Sequence, residues 1–137
     1  MRPIVVSWDG GVRFTADIRG HKVTVDQTQR GGGEDSAPTP LELLPTALGT
    51  CVALYVQQFL VTRGLDPTGM TVEVGTVGAA NPNRIARFAV EVKIPGGVPE
   101  KYRDAVKRAA EGCTVHHTLS HGPEIAVSVS EGSPVPA

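Results

Sequence analysis

The segment from Pro38 to Cys51, PTPLELLPTALGTC, decides the fold of this chain, because it begins a long apolar run and ends at a thiol. Thr39 as N-cap, Pro40 at the first helical position and Glu42 three residues beyond the cap form the pattern of a capping box. Gly64 is a residue that commonly ends a helix. The sequence therefore predicts one long helix from Thr39 to about Gly64.

Apolar side chains cover every side of this predicted helix. They are Leu43, Leu44, Ala47, Leu48, Val52, Leu54, Tyr55, Phe59 and Leu60. A helix that is apolar all round is expected to be buried on most sides, yet one sheet shields only one face. We therefore expect a second copy of the chain to cover the other face, which makes the protein an obligate homodimer. The run from Leu43 to Val56 is shorter than the roughly 20 residues of a bilayer span, so we expect no membrane.

The rest of the chain predicts an α+β domain of order β-β-β-α-β-β-α-β. The other predicted elements are strands at Ile4–Trp8, Arg13–Ile18, Lys22–Gln27, Thr71–Thr76, Ile85–Ile94 and Glu124–Val129, and a second helix at about Pro99–Glu111. Antiparallel pairing is expected, because glycine-rich turns of hairpin type separate the early strands. We predict one domain over residues 1–137, with a mobile, glycine-rich loop at residues 28–38 and a tail at residues 131–137.

Composition excludes several classes of partner. Lys and Arg number 13 against 14 Asp and Glu, and aromatic residues make up 4% of the chain. Such a balance favours neither nucleic acid nor an anionic membrane, and it gives no platform on which bases would stack. The first residues lack a signal-peptide pattern. We expect a soluble, cytoplasmic protein without a cofactor.

Two cysteines, Cys51 and Cys113, are the candidates for chemistry. Residue types alone leave two interpretations open, buried inert thiols or reactive ones. Cys113 follows a helix-ending glycine and begins the segment CTVHHTLS, which is predicted to form a short helical piece; free N–H groups there favour a thiolate and lower its pKa. His116 and His117 add positive charge or are simply exposed. Cys-x-x-His without a second pair is no metal site.

The two cysteine contexts together resemble one family. PLELLPTALGTC before an apolar helix, and CTVHHTL after an amphipathic one, are similar to the OsmC/Ohr family, the osmotically inducible protein C and organic hydroperoxide resistance proteins. The resemblance covers roughly residues 4 to 130. It implies an intertwined homodimer that reduces organic hydroperoxides in oxidative-stress defence, with Cys51 as the peroxidatic thiol, Cys113 as the resolving thiol and an external dithiol as the reductant.

The resemblance is incomplete at the residues that activate the thiol. Family peroxidases pair a Glu near the start of the central helix with an Arg from an N-terminal strand or loop. Many have that Glu ten positions before the cysteine, where this chain has Leu41. Glu42 lies nine positions before, about 180° around a straight helix from Cys51. Glu42 and Arg13 are our catalytic candidates, and Arg30 is the second choice for the Arg. The alternative is that Glu42 only caps the helix and that both Arg side chains are solvated charges.

A second function belongs to a different class. The chain is then a non-catalytic dimeric binding protein, or a redox sensor, with an apolar pocket at its interface. The second cysteine favours the peroxidase, since binding alone needs no resolving thiol. The departures at the activating pair place the chain nearer the less characterised OsmC-like branch of the family.

Overall fold

The computed structural model describes residues 1–132 and shows the predicted α+β architecture. Its elements in chain order are β1 (Val5–Trp8), β2 (Phe14–Ile18), β3 (His21–Val25), α1 (Pro40–Thr62), β4 (Thr71–Ala79), β5 (Arg84–Lys93), a 3₁₀ turn (Glu100–Tyr102), α2 (Arg103–Glu111) and α3 (Thr114–Ser120). β1, β2 and β3 form an antiparallel meander, and β4 pairs with β5 in a separate antiparallel hairpin.

The central helix begins and ends where the sequence predicts. The Thr39 hydroxyl accepts the Glu42 N–H at 3.3 Å, and the Glu42 carboxylate accepts the Thr39 N–H at 2.9 Å. This capping box satisfies two of the four N–H groups that a helix start leaves free. At the other end Gly64 adopts a φ of +69°, a left-handed conformation that glycine takes without strain. Local sequence chemistry therefore sets both ends of α1.

One stripe of α1 forms the core of the protomer. Leu48, Val52, Val56 and Leu60 are buried together with Val106 of α2 and Cys113. β4, α2 and α3 pack against this stripe. The opposite side of the helix, including Leu54 and Val61, remains about half exposed. A single protomer therefore buries one stripe of α1, and the prediction that a second copy covers the other side stays a prediction.

The same helix is long and apolar enough to cross a membrane by length and composition alone. Core helices of soluble domains have this property too. The buried stripe packs on the β4–β5 hairpin and on two short helices of its own chain. α1 is thus the core helix of a soluble fold.

The N-terminal sheet stands apart from the rest of the protomer. Within residues 1–132 it packs extensively against neither the helices nor the β4–β5 hairpin. Val5, Val6, Trp8 and Phe14 remain exposed on it. A sheet of three short strands needs a packed apolar face to be stable, so this one lacks its covering layer in the isolated chain.

The predicted last strand, Glu124–Val129, is wrong for the described protomer. These residues form no strand, and Ile125, Val127 and Val129 are 82%, 85% and 88% exposed. A strand requires a neighbouring edge to take its backbone groups, and the segment pairs with no edge among residues 1–132. Alternating apolar residues supply strand propensity but no partner. Of the predicted tail, residues 133–137 lie outside the described part of the chain.

The loop at residues 28–38 is organised around Asp26, a residue that the sequence did not single out. Asp26 is buried, and its carboxylate accepts hydrogen bonds from the hydroxyl and N–H of Ser36 and from the N–H groups of Gln27 and Glu34. These bonds, that of the Ser36 hydroxyl foremost, lower the pKa of Asp26 to about 2. A Cβ on Gly33 would collide with this carboxylate. Mobility of the loop stays a prediction.

Candidate active site

The fold brings the two cysteines together from distant parts of the chain. Cys51 lies in the middle of α1 and is partly buried, whereas Cys113 lies at the N-cap of α3 and is fully buried. Both are free thiols, and they pack in the same core cluster. Within this cluster Cys51 stays partly exposed, whereas Cys113 is fully buried.

The electrostatics of Cys113 differ from the prediction. Its sulfur accepts the His116 N–H at 3.2 Å, as an N-cap residue does. Burial nevertheless raises the pKa of the Cys113 thiol; the His116 N–H opposes this rise, and the nearby Cys51 thiol adds to it. The expected lowering of the pKa by the helix start is therefore wrong, because desolvation outweighs the N–H contacts of His116 and Val115. Cys113 stays protonated at neutral pH.

Tyr55 connects the two elements that carry the thiols. Its hydroxyl forms a 2.9 Å hydrogen bond with the hydroxyl of Thr114, the residue that follows Cys113. Tyr55 is four residues after Cys51 and so projects from the same side of α1. Sequence reasoning treated Tyr55 only as an apolar residue of the helix. The four-residue spacing between Cys51 and Tyr55 is the sequence signal that could have identified Tyr55 as a residue near the site.

Glu42 and Arg13 do not meet the thiols within the protomer. Nine residues of helix separate Glu42 from Cys51, about 13.5 Å along the axis, and the Thr39 cap holds the Glu42 carboxylate and lowers its pKa. Arg13 donates at 2.6 Å to the hydroxyl of Ser36, which itself bonds Asp26. Arg30 lies in that loop and is exposed.

The two histidines of α3 contribute differently. His117 is exposed, while the ring of His116 is partly buried and its Nδ1 atom has no hydrogen-bond partner among the described residues. The main chain of His116, not its ring, contacts the Cys113 sulfur. No cluster of three His, Cys, Asp or Glu side chains suited to a metal occurs within residues 1–132.

An apolar groove of about 980 Å³ runs beside the thiol pair. Leu41, Leu44, Leu48 and Val52 of α1 line one wall, and residues of β5, α2 and α3 line the rest. Cys51 itself does not line it, although Leu48 and Val52 flank Cys51 in the sequence. In the isolated protomer the groove therefore passes the thiol without opening onto it.

Solved structures share this fold. A putative osmotic stress induced and detoxification response protein from Psychrobacter arcticus is 23% identical, with a TM-score of 0.77 and coverage of 86% of this chain and 88% of that one. An organic hydroperoxide resistance protein from Elizabethkingia anophelis is 20% identical, with a TM-score of 0.59 and coverage of 89% and 91%.

A third structure agrees. An organic hydroperoxide resistance protein from Legionella pneumophila is 18% identical, with a TM-score of 0.57 and coverage of 87% of this chain and 90% of that one. Among curated proteins no sequence matches the chain. The family model described as OsmC-like protein matches residues 32–128, more than half of the chain and both cysteines with it. The chain belongs to the OsmC-like protein family.

Proposed function

We propose that this protein is a two-cysteine thiol peroxidase that reduces organic hydroperoxides in oxidative-stress defence. The observation that carries the proposal is the pairing of a partly accessible Cys51 with a buried, protonated Cys113 in one cluster. Family membership and the names of the Legionella and Elizabethkingia neighbours support the same chemistry. Free thiols of this kind persist in a reducing compartment, which agrees with a cytoplasmic location.

The proposed cycle has three steps. The Cys51 thiolate attacks the O–O bond of the hydroperoxide, which releases the alcohol and leaves a sulfenic acid on Cys51. The thiol of Cys113 then displaces the sulfenic hydroxyl, so that one water leaves as the disulfide forms. An external dithiol exchanges with this disulfide, returns both cysteines to thiols and is itself oxidised.

Activation of Cys51 has two proposed contributors. Glu42 and Arg13 are the proposed activating pair by resemblance, and each has another partner in the protomer. Burial raises the pKa of Cys113, and the nearby Cys51 thiol adds to this rise, so a proton stays on the Cys113 sulfur. A protonated Cys113 suits the role of the resolving thiol.

We propose that the functional unit is an intertwined homodimer. The protomer has 10,380 Å² of accessible surface, whereas a compact monomer of 14.4 kDa exposes about 6,800 Å². An excess of about 3,500 Å² per protomer amounts to about 7,000 Å² for a dimer, at or above the upper end of the total area that obligate interfaces bury. The isolated N-terminal sheet, the outer side of α1 and the unpaired segment 124–129 supply this surface.

Dilution tests the dimer. Sedimentation at sub-micromolar concentration should show no folded species at 14.4 kDa. Replacing Val127 and Val129 with serine should promote dissociation, because both valines are more than four-fifths exposed in the protomer. A folded, compact monomer of the unaltered chain would refute the assembly.

The groove supports a second candidate function, a dimeric binding protein for an apolar small molecule. Its apolar wall and its separation from Cys51 are what a binding site without redox chemistry would have. In that case peroxide does not change the count of free thiols. Titration of free thiols after one equivalent of cumene hydroperoxide therefore separates the two functions.

Variants at the two cysteines test the proposed peroxidase. Cys51→Ser should abolish turnover, whereas Cys113→Ser should allow one oxidation and then stall or over-oxidise. Mass spectrometry after a peroxide pulse should find the sulfenic or sulfinic mark on Cys51. A mark on Cys113 would reverse the two roles, and unchanged thiols in the unaltered protein would refute the activity.

A further inference from the structure

The bond between Tyr55 and Thr114 holds a distinctive position in the described chain. Among residues 1–132 it is the one side-chain hydrogen bond that joins α3 to another element; the other side-chain bonds of α3 stay within the helix or its N-cap. α3 has seven residues, too few to hold its own geometry as an isolated helix. Its start, which carries Cys113, therefore depends on contacts with α1.

We infer that Tyr55 is a positioning residue for the resolving step. This inference rests on the proposed peroxidase and concerns how Cys113 reaches the sulfenic acid on Cys51. A disulfide forms only when the two Cα atoms lie about 4.4–6.8 Å apart with suitable orientation. The Tyr55 hydroxyl fixes the residue next to Cys113 from the same side of α1 that presents Cys51.

Packing alone does not fix this end of α3. Val115 and Leu119 pack against the core cluster and fix the depth of the helix. Apolar contacts are non-directional, so they tolerate small rotations of the helix start. A hydrogen bond between two hydroxyls is directional. The bond thus restrains the rotation that would turn the Cys113 sulfur away from Cys51.

The consequence is kinetic. A sulfenic acid on Cys51 either meets the thiol of Cys113, with loss of water, or meets a second hydroperoxide and becomes a sulfinic acid. Loss of one hydrogen bond is expected to slow resolution about three- to tenfold, the factor that a net neutral bond represents. The first oxidation of Cys51 does not require Cys113 in place and should keep its rate.

The closing experiment compares Tyr55→Phe with Tyr102→Phe. Both remove one phenolic hydroxyl and keep the ring, but Tyr102 packs edge-on against Phe59 and has no hydroxyl bond recorded in the described chain. At fixed cumene hydroperoxide and dithiol, Tyr55→Phe should raise the sulfinic fraction of Cys51 about three- to tenfold. Rapid-quench trapping with dimedone should show sulfenic acid forming at the unaltered rate.

Variants on the other side of the bond make the test specific. Thr114→Val should reproduce the Tyr55→Phe phenotype, Thr114→Ser should restore resolution because it keeps the hydroxyl, and the double variant Tyr55→Phe with Thr114→Val should add nothing further. If Tyr55→Phe behaves like Tyr102→Phe, or slows both steps equally, the positioning role is refuted. If the unaltered protein forms no Cys51–Cys113 disulfide, the proposed function fails and this role with it.

Discussion

Gly49 is the position where the packing of α1 is tested most directly. It lies on the buried stripe, two residues before Cys51, and a Cβ added there would lie 2.9 Å from Cγ2 of Val74 on β4. Carbon atoms pack at about 3.5–4.0 Å. Val74 is β-branched and stiff at χ1, so it cannot turn away freely.

Two opposing contributions set the effect of Gly49→Ala. Alanine in place of glycine inside a helix gains about 1 kcal/mol of helix propensity. Overpacking by one carbon in a close-packed core costs about 1–3 kcal/mol. The free energy of unfolding should therefore fall by about 1 kcal/mol, and β4 should move away from α1 by a few tenths of an ångström.

Urea unfolding at one fixed protomer concentration measures this change, since the stability of a dimer depends on concentration. In Gly49→Ala with Val74→Ala the clash is absent, so the two changes should show a coupling energy of at least 1 kcal/mol. Thr50→Ala, next in the chain and exposed, is the control and should change stability by less than about 0.5 kcal/mol. A stabilised Gly49→Ala variant, with no coupling to Val74, would refute the close approach of α1 and β4.

Further predictions concern acid stability, the helix cap and the substrate. The pKa of Asp26 is lowered from 3.8 to about 2 in the fold. The stabilisation by this carboxylate is therefore present above about pH 4 and is lost as the pH falls through 2. When unfolding is measured between about pH 4 and pH 2, Asp26→Asn should lose less stability than the unaltered protein. Glu42→Gln keeps the capping box and removes only the charge, so the proposed activating role predicts a loss of peroxidase activity of at least about tenfold (about 1.4 kcal/mol); activity within about twofold would leave Glu42 a capping residue alone. Steady-state kcat/KM for cumene hydroperoxide should exceed that for hydrogen peroxide at least about tenfold, because each buried methylene contributes about 0.8 kcal/mol; equal values would mean a wet, open site at Cys51.

The elements whose signals are local could be predicted from the sequence. The capping box at Thr39 and Glu42 and the left-handed Gly64 are properties of a few neighbouring residues, so the ends of α1 followed directly. The two antiparallel hairpins followed from their turns. The α+β class and the family rested on these elements and on the contexts of the two cysteines.

Only the tertiary structure decided what depends on contacts between distant residues. The raised pKa of Cys113 follows from burial beneath α1, which outweighs the helix start that the sequence revealed. The Tyr55–Thr114 hydrogen bond joins residues that are 59 positions apart. The loop around Asp26 depends on hydrogen bonds that the hydrophobic pattern of the sequence does not predict. Residues 124–129 have the alternation of a strand yet pair with no strand in the described part of the chain. Sequence fixes the preference of each segment for a conformation, but a strand, a buried thiol and an anchored helix exist only where another part of the fold supplies the partner.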